Sequence, residues 1–226
     1  MIKSILKMIK NLLLFIVFIS FFSSENRCYG QQYTVNFVTN KGAFTISLYD
    51  STPFHRDNFI NLIGLKFYDS LLFHRVIKNF VAQAGDPDSK HAKDTALLGD
   101  GDLKYKIPFE YIESYIHKFG ALGMARDENP EKESSSCQFY IVTGRKGHDS
   151  LYEKAYKRTG LIVPEWKKVI YNKIGGTPHL DTRYTVFGEV TQGMKVILKI
   201  CKMKTDKNNR PLKPVRIISA SFTKLY

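Results

Sequence analysis

Three polar side chains interrupt sequence that is otherwise apolar and typical of strands. Arg75 and Gln83 lie in FHRVIKNFVAQAGDP (73–87), and Gln138 lies in SCQFYIVTG (136–144). A guanidinium is almost never buried without a partner, so these residues are candidates for a site on the surface of a sheet. Arg75 is permanently charged and offers a planar set of donors, which suits a reacting group that gains electron density.

Motifs that serve most hydrolases and nucleotide-binding enzymes are missing from the sequence. It contains no G-x-S-x-G, no H-E-x-x-H, no Walker loop and no Cys-x-x-Cys. Histidines are scattered at positions 55, 74, 91, 117, 148 and 179, without the spacing of metal ligands. We therefore predict no metal site and no cofactor.

The first 30 residues have the pattern of a targeting segment. Three lysines precede the run LLLFIVFISFF (12–22), and small residues follow near Gly30. This run is too short to span a bilayer as a helix, so the pattern predicts a secretory signal peptide over 1–30, cleaved before Gln31. A signal anchor is the alternative, while lipidation at Cys28 is disfavoured by the charged residues before it. We expect export to the periplasm or cell envelope, or secretion, with no stable membrane insertion after cleavage.

The chain from Gln31 onward is long enough for one sizeable core, and it keeps about +10 of the formal net charge of +13. Its lysines are scattered, and no basic run interleaves with aromatic residues, so we expect solvated surface and no nucleic-acid binding. Cys137 and Cys201 are the two cysteines that remain after cleavage. They could pair in an oxidising compartment or stay free.

Hydrophobic alternation predicts a mainly β domain over 31–226. Two strands are predicted around Lys78 and Asn79, and 85–107 is predicted to be a surface loop. Further strands are predicted over 33–39 and 43–49 as a first hairpin, and over 120–126, 136–144, 184–190 and 215–225.

Helical periodicity is confined to a few segments. The sequence predicts amphipathic helices over 51–66 and 193–203. Between 145 and 175 the sequence becomes charged and helix-favouring, with glycines at the ends of two segments. We interpret 145–175 as a helical insertion between late strands.

In three blocks the sequence resembles the cyclophilin-type peptidyl-prolyl cis-trans isomerases. FHRVIKNFVAQAGDP is similar to the first signature of that family. GALGMA followed by SSSCQFYIVTG is similar to the second, and HLDTRYTVFGEVTQGMKVI to the third. The blocks occur in the family's order, and the resemblance covers 33–224 apart from the insertion.

The resemblance implies an eight-stranded antiparallel β-barrel closed by two α-helices, with the active site on the outer face. The interior of such a barrel is filled by side chains. Arg75 can therefore share a strand with core residues and still face a shallow groove. His74, its neighbour in the same block, is expected to have a packing or hydrogen-bonding role and no catalytic one.

The resemblance also implies roles for twelve residues that match family motifs. Arg75 is the implied catalytic residue, and Gln83 is the implied partner that holds it and the substrate carbonyl. The implied proline pocket consists of Phe80, Val81, Tyr140 and Leu180. The implied backbone edge is Ala125, Arg126 and Asp127, and the implied rim is Gln138, His179 and Tyr184.

Several of these positions depart from the common eukaryotic pattern. Val81 replaces a larger Met, Tyr140 a Phe, and His179 the Trp that supports cyclosporin binding. We therefore expect weak cyclosporin binding, and the substrate preference stays open. Such changes, together with the long insertion, resemble bacterial, exported members of the family.

The implied reaction is rotation about an X-Pro amide. Resonance opposes that rotation with a barrier of roughly 18–20 kcal/mol. In the twisted transition state the prolyl nitrogen becomes pyramidal and basic, and a fixed cationic donor beside it stabilises the twisted form over either planar one. No nucleophile, metal or cofactor is needed.

The sequence therefore predicts a prolyl isomerase that accelerates the folding of exported proteins. Its expected partners are proline-containing polypeptides, including unfolded client proteins, and we expect a monomer. One alternative is a non-catalytic binding or chaperone module that uses the same groove or the insertion. Another, suggested by the charge alone, is a binder of nucleic acid or another anionic polymer.

Overall fold

The structure is a computed structural model that describes residues 32–94 and 96–225. The predicted signal peptide lies outside the described residues. The strands in the described ranges are β1 (Gln32–Thr39), β2 (Gly42–Leu48), β3 (Arg75–Ile77), β4 (Val81–Ala84), β5 (Lys106–Ile107), β6 (Ala121–Met124), β7 (Ser134–Ser135), β8 (Phe139–Val142), β9 (Val186–Gln192) and β10 (Ile217–Leu225). The α-helices in those ranges are α1 (Pro53–Gly64), α2 (Asp149–Thr159), α3 (Glu165–Ile174) and α4 (Met194–Cys201).

Eight strands form one antiparallel sheet in the order β10–β1–β2–β9–β6–β8–β4–β3. The first hairpin is β1–β2, with Phe37 opposite Phe44. The strands predicted around Lys78 and Asn79 are β3 and β4. The short strands β5 and β7 pair separately. The prediction of a mainly β fold with eight antiparallel strands is confirmed.

The edges of the eight-stranded sheet are β10 and β3, and no ladder joins these two strands. The segment before β3 meets the start of β10 through an isolated bridge between Leu72 and Arg216. The Phe73 amide also donates to the Val215 carbonyl at 2.9 Å. The sheet is therefore curled, whereas the closed barrel of the prediction would need a continuous ladder between its edges.

An aromatic cluster fills the concave side of the sheet. The rings of Phe37 and Phe44 stack with centroids 5.1 Å apart, and Phe59 of α1 packs edge-on against Phe139 and Phe187. Helix α1 begins at Pro53, whose fixed φ suits a first turn. Helix α4 buries its apolar face, including Ile197 and Ile200, against the same core.

Segment 145–175 contains α2 and α3 and lies between β8 and β9. Its apolar residues form a small core of their own, in which Ala155, Val163 and Tyr171 pack with Ile116. Helix α2 ends at Thr159 and is capped by Gly160, whose φ of 69° is a left-handed conformation that glycine adopts without strain. The insertion is thus a folded unit with its own buried surface.

Cys137 and Cys201 are both free and buried. Burial raises the pKa of the Cys137 thiol to about 12 and that of Cys201 to about 11. Of the two possibilities that the sequence left open, the structure shows unpaired thiols. None of the helices in the described residues has the length and apolar character needed to cross a membrane.

Candidate active site

A pocket of about 160 Å³ opens on the outer face of the sheet near the β3–β4 hairpin. It is smaller than the roughly 300–1,000 Å³ of sites for drug-sized ligands, so it suits a single small side chain. Nine of the twelve predicted site residues line it: Arg75, Phe80, Val81, Gln83, Ala125, Arg126, Tyr140, Leu180 and Tyr184.

The register of the sheet places the centre of the pocket. Arg75 on β3 lies opposite Gln83 on β4, and Gln83 lies opposite Tyr140 on β8. Tyr140 in turn lies opposite Gly123 on β6. Directly opposed residues share one face of a sheet, so four strands present these residues in a single row.

A glycine is required at position 123 of this row. A Cβ atom there would overlap the ring of Tyr140. The aromatic ring therefore lies against the backbone of β6, and this contact determines the depth of the pocket floor.

Arg75 is held by a chain of side-chain amides. Its Nη1 donates to Oε1 of Gln83 at 3.1 Å, and Nε2 of Gln83 donates to Oε1 of Gln138 at 3.0 Å. Nε2 of Gln138 donates to the carbonyls of Gly99 and Gly101. Because a guanidinium only donates, the oxygen of Gln83 must face Arg75, and every amide in the chain is oriented.

The charge of Arg75 is not neutralised by a neighbour. Among the described residues no carboxylate oxygen lies within 4.0 Å of its guanidinium nitrogens. The guanidinium carbon lies 6.0 Å from the centroid of the Phe80 ring. Burial lowers the pKa of Arg75 below its ordinary value, but a guanidinium stays protonated at neutral pH.

Behind the pocket, Tyr140 belongs to a buried hydrogen-bond network. Its hydroxyl lies 2.8 Å from Nε2 of His117, and Nδ1 of His117 lies 2.9 Å from Oδ1 of Asp181. The hydroxyl of Tyr171 donates to Oδ2 of Asp181 at 2.8 Å, and Nζ of Lys167 lies 3.5 Å from the same atom. The network thus joins the pocket floor to helix α3 of the insertion.

Ionisation in this network follows from burial and hydrogen bonding. Burial alone would raise the pKa of the Asp181 carboxyl, but the hydrogen bonds from His117 and the charge of Lys167 hold it below its usual range. An ionised carboxylate only accepts, so we assign the proton of His117 to Nδ1. Burial raises the pKa of Tyr140 well above its ordinary value, so its hydroxyl stays protonated within hydrogen-bond distance of Nε2 of His117.

Sequence reasoning missed His117 and Asp181, because neither belongs to the polar set on the apolar strands. One signal was available, since a buried tyrosine hydroxyl usually needs a hydrogen-bond partner. Tyr140 occupies a position where the family usually has a Phe. Its additional hydroxyl therefore predicts a hydrogen-bonding residue behind the pocket.

The predicted backbone edge is divided by the structure. Ala125 uses both backbone groups within the fold: its amide donates to Gln138, and its carbonyl accepts from Ser135, each at 2.8 Å. The backbone N–H and C=O of Arg126 make no hydrogen bond with any described residue. Its guanidinium carbon lies 5.0 Å from the ring centroid of Tyr184, which positions both at the mouth of the pocket.

Three predicted residues lie beside the pocket and do not line it. Gln138 is buried behind Gln83, whereas the sequence placed it at the rim. Asp127 is exposed, and its Oδ1 lies 3.3 Å from Nζ of Lys106. His179 stacks on Phe80 with ring centroids 5.4 Å apart, and burial together with the charge of Arg158 lowers its pKa to about 4.

His74 is buried, and neither ring nitrogen has a hydrogen-bond partner among the described residues. Burial, assisted by the charge of Arg75, lowers its pKa to about 4. The neutral ring therefore fills space in the core, which is the packing role of the two that the sequence suggested. Within the described ranges no three His, Cys, Asp or Glu side chains converge on a metal site.

Comparison with known proteins agrees with this geometry. Residues 34–222 match the family model described as "Cyclophilin type peptidyl-prolyl cis-trans isomerase/CLD". The chain is 31% identical over 187 residues to the peptidyl-prolyl cis-trans isomerase ppi1 of Schizosaccharomyces pombe, covering 82% of this chain and 96% of that protein. It is also 32% identical to a Staphylococcus saprophyticus protein that is provisionally named a peptidyl-prolyl cis-trans isomerase. That alignment covers 80% of this chain and 87% of that protein.

Solved structures show the same fold. A crystal structure of a cyclophilin-type isomerase from Cryptosporidium parvum superposes with a TM-score of 0.62 at 22% identity, covering 85% of this chain and 98% of that one. The family match extends over most of the chain and includes every strand that contributes to the pocket. The chain therefore belongs to the cyclophilin-type peptidyl-prolyl cis-trans isomerases.

Proposed function

We propose that Arg75 accelerates X-Pro isomerisation by stabilising the twisted amide. One observation carries the proposal: an unneutralised guanidinium is held by Gln83 beside a pocket that suits one small ring. Phe80, Val81, Tyr140 and Leu180 supply the apolar walls that would grip a proline.

The energetic requirement is modest. A ten-thousandfold acceleration needs roughly 5–6 kcal/mol of binding that is present only in the transition state. A charge-assisted hydrogen bond to the prolyl nitrogen, available only when conjugation is lost, is such an interaction. Because Arg75 is already oriented by the amide chain, little reorganisation is required when the amide twists.

The proposed substrates are proline-containing polypeptides. One structure of the Cryptosporidium parvum isomerase was determined in the presence of the dipeptide Ala-Pro, which supports a substrate of this kind. We propose that the backbone groups of Arg126, which make no hydrogen bond with any described residue, pair with the residues before proline, as in strand addition to a sheet edge. Gln83 has a second amide hydrogen left for the substrate carbonyl.

We extend the proposal to the cellular role. The amino-terminal pattern of lysines followed by an apolar run supports export. The proposed clients are therefore exported proteins in which X-Pro isomerisation limits the rate of folding. We propose that it resembles the bacterial, exported members of the family and works as a monomer in the periplasm or envelope. We also propose that the curled sheet forms the closed barrel that the resemblance implies.

The deciding experiment is cis-to-trans relaxation of a short X-Pro peptide, with the wild-type chain, Arg75→Ala and Arg75→Lys. We expect catalysis by the wild type and a loss of at least about 100-fold in kcat/KM for Arg75→Ala. Partial activity of Arg75→Lys would show the value of the charge without the planar fork. Equal acceleration by all three would remove Arg75 from the mechanism, and no acceleration by any folded variant would favour a binding module.

A further inference from the structure

A second pocket of about 290 Å³ lies on the far side of Phe80 and His179. We call it the basic pocket and define it by the cations that line it, Lys78, Arg145, Lys146 and Lys154. Lys78 comes from the β3–β4 turn, and the other three come from the amino-terminal part of the insertion. The basic pocket therefore exists only because the insertion folds beside the active site.

The lining of the basic pocket carries charge of one sign. None of its lining residues is Asp or Glu. Within the part of the chain that the structure describes, no carboxylate forms an ion pair with any of the four cations. The acidic residues of segment 145–175, Asp149, Glu153 and Glu165, are not part of the lining. Four cations gathered around one concave surface raise the local potential and attract an anion.

The basic pocket contains one cation that is already held in position and one buried hydroxyl that lacks a partner. The side-chain oxygen of Asn79, oriented by its donor-only neighbour, accepts from Nε and Nη2 of Arg145 at 3.0 Å each. Thr177 lines the pocket and is 3% exposed, and its hydroxyl has no hydrogen-bond partner among the described residues. A buried hydroxyl without a partner is costly, and a bound acceptor group would satisfy it.

The position of the basic pocket relates it to the substrate of the first pocket. Phe80 lines both pockets, and its ring stacks on His179 as their common wall. An extended chain advances roughly 3.3–3.6 Å per residue. The two rings of this wall lie 5.4 Å apart, so a few residues of extended polypeptide next to a proline in the first pocket are long enough to pass the wall.

The insertion is also held firmly enough to present these charges. Tyr171 and Lys167 of α3 contact Asp181, which is joined through His117 to Tyr140. The same network therefore supports both pockets. A site whose parts are fixed before binding loses less entropy when the ligand arrives.

We propose that the basic pocket binds a carboxylate side chain of the polypeptide whose proline occupies the active site. The proposal rests on the proposed function and narrows its substrate class to prolines with an acidic residue nearby. Continuity with the proline pocket favours this occupant over a separate anionic polymer.

The test compares peptides that carry a single Glu, or its neutral isostere Gln, at one position. That position is one of the four before proline or one of the four after it. With the full-length chain at low salt, we expect a threefold to tenfold higher kcat/KM for Glu in at least one position, roughly what one or two exposed ion pairs provide. The ratio should fall towards one in Lys146→Gln/Lys154→Gln and in high salt. The matched control, Lys157→Gln/Lys173→Gln, removes the same charge from exposed positions outside the pocket and should keep the ratio.

The other outcomes distinguish a failure of this inference from a failure of the proposed function. An active enzyme with a ratio of one at every position removes the acidic preference and leaves the isomerase intact. If no peptide is isomerised, the proposed function fails, and fluorescence anisotropy with labelled Glu and Gln peptides still tests the pocket. Binding of inorganic polyphosphate that depends on Lys146 and Lys154, without any Glu preference, would assign the pocket to a polymer instead.

Discussion

The hydroxyl of Tyr140 and Nε2 of His117 lie 2.8 Å apart, so the floor of the candidate active-site pocket is hydrogen-bonded to a buried histidine. His117 is itself bonded to Asp181, to which Tyr171 of α3 also donates. Through these contacts an element outside the eight-stranded sheet supports a wall of the active site. The position of the Tyr140 ring therefore depends on the insertion as well as on β8.

Tyr140→Phe removes one partner and leaves Nε2 of His117 buried and unpaired. We expect a loss of about 1–2 kcal/mol in the free energy of unfolding, measured with urea. A double-mutant cycle with His117→Phe should show coupling, with the double variant less destabilised than the sum of the single ones. Additive effects would mean that the hydrogen bond contributes nothing to stability.

Asp181→Asn should be more damaging, because it leaves the buried ammonium of Lys167 without a counter-charge. We expect a loss of about 3 kcal/mol or more in unfolding free energy. Adding Lys167→Met should recover part of that loss, since the uncompensated charge is then removed. If the double variant is no more stable than Asp181→Asn alone, the ion pair is not the cause.

Gln83→Glu places a carboxylate against Arg75 while nearly preserving the shape of the side chain. We expect the new ion pair to hold the guanidinium away from the prolyl nitrogen and to lower kcat by at least about tenfold, with a smaller effect on KM. Gln138→Glu, one step further along the amide chain, is the matched control and should cost less. An unchanged kcat in Gln83→Glu would show that neutralising Arg75 is harmless.

The lowered pKa of His74 leads us to expect that the stability of the protein depends on pH. Its pKa is lowered from 6.5 to about 4 in the folded protein. Between these values the unfolded chain binds a proton that the native chain does not, so stability falls as the pH drops from about 6.5 to about 4. The difference amounts to about 3 kcal/mol over that window.

His74→Leu should therefore reduce the slope of the unfolding free energy against pH within that window. The slope that remains includes the contribution of His179, whose pKa is also lowered to about 4. Urea titrations at intervals of half a pH unit measure this directly. His91→Leu, which changes an exposed histidine, should leave the slope as it is in the wild type. A slope in His74→Leu equal to that of the wild type would contradict the burial argument.

Local sequence patterns predicted much of the fold for identifiable reasons. Alternation around Lys78 and Asn79 located β3 and β4, and their register brings Arg75 opposite Gln83. Pro53 and the apolar stripe that follows located α1. These features depend on residues close together in the chain, where side-chain period and turn chemistry act directly.

Other features required the folded chain. The burial of Gln138 behind Gln83 follows from the contact of β4 with β8, whereas the family resemblance implied that Gln138 lies at the rim. The expectation of a closed barrel likewise exceeded what is observed, because the edges meet through an isolated bridge in place of a ladder.

The sequence by itself determined the family, the strands and helices, and most of the residues that line the candidate active-site pocket. Those features depend on contiguous motifs, and the side-chain pattern of such motifs can be interpreted without knowing the distant contacts. Only the tertiary structure decided that Asp181 supports Tyr140 through His117, and that Lys78 joins cations 67 or more positions away to form the basic pocket. The physical reason is that hydrogen bonding, burial and local potential depend on distances in space, and these arise when remote segments pack together.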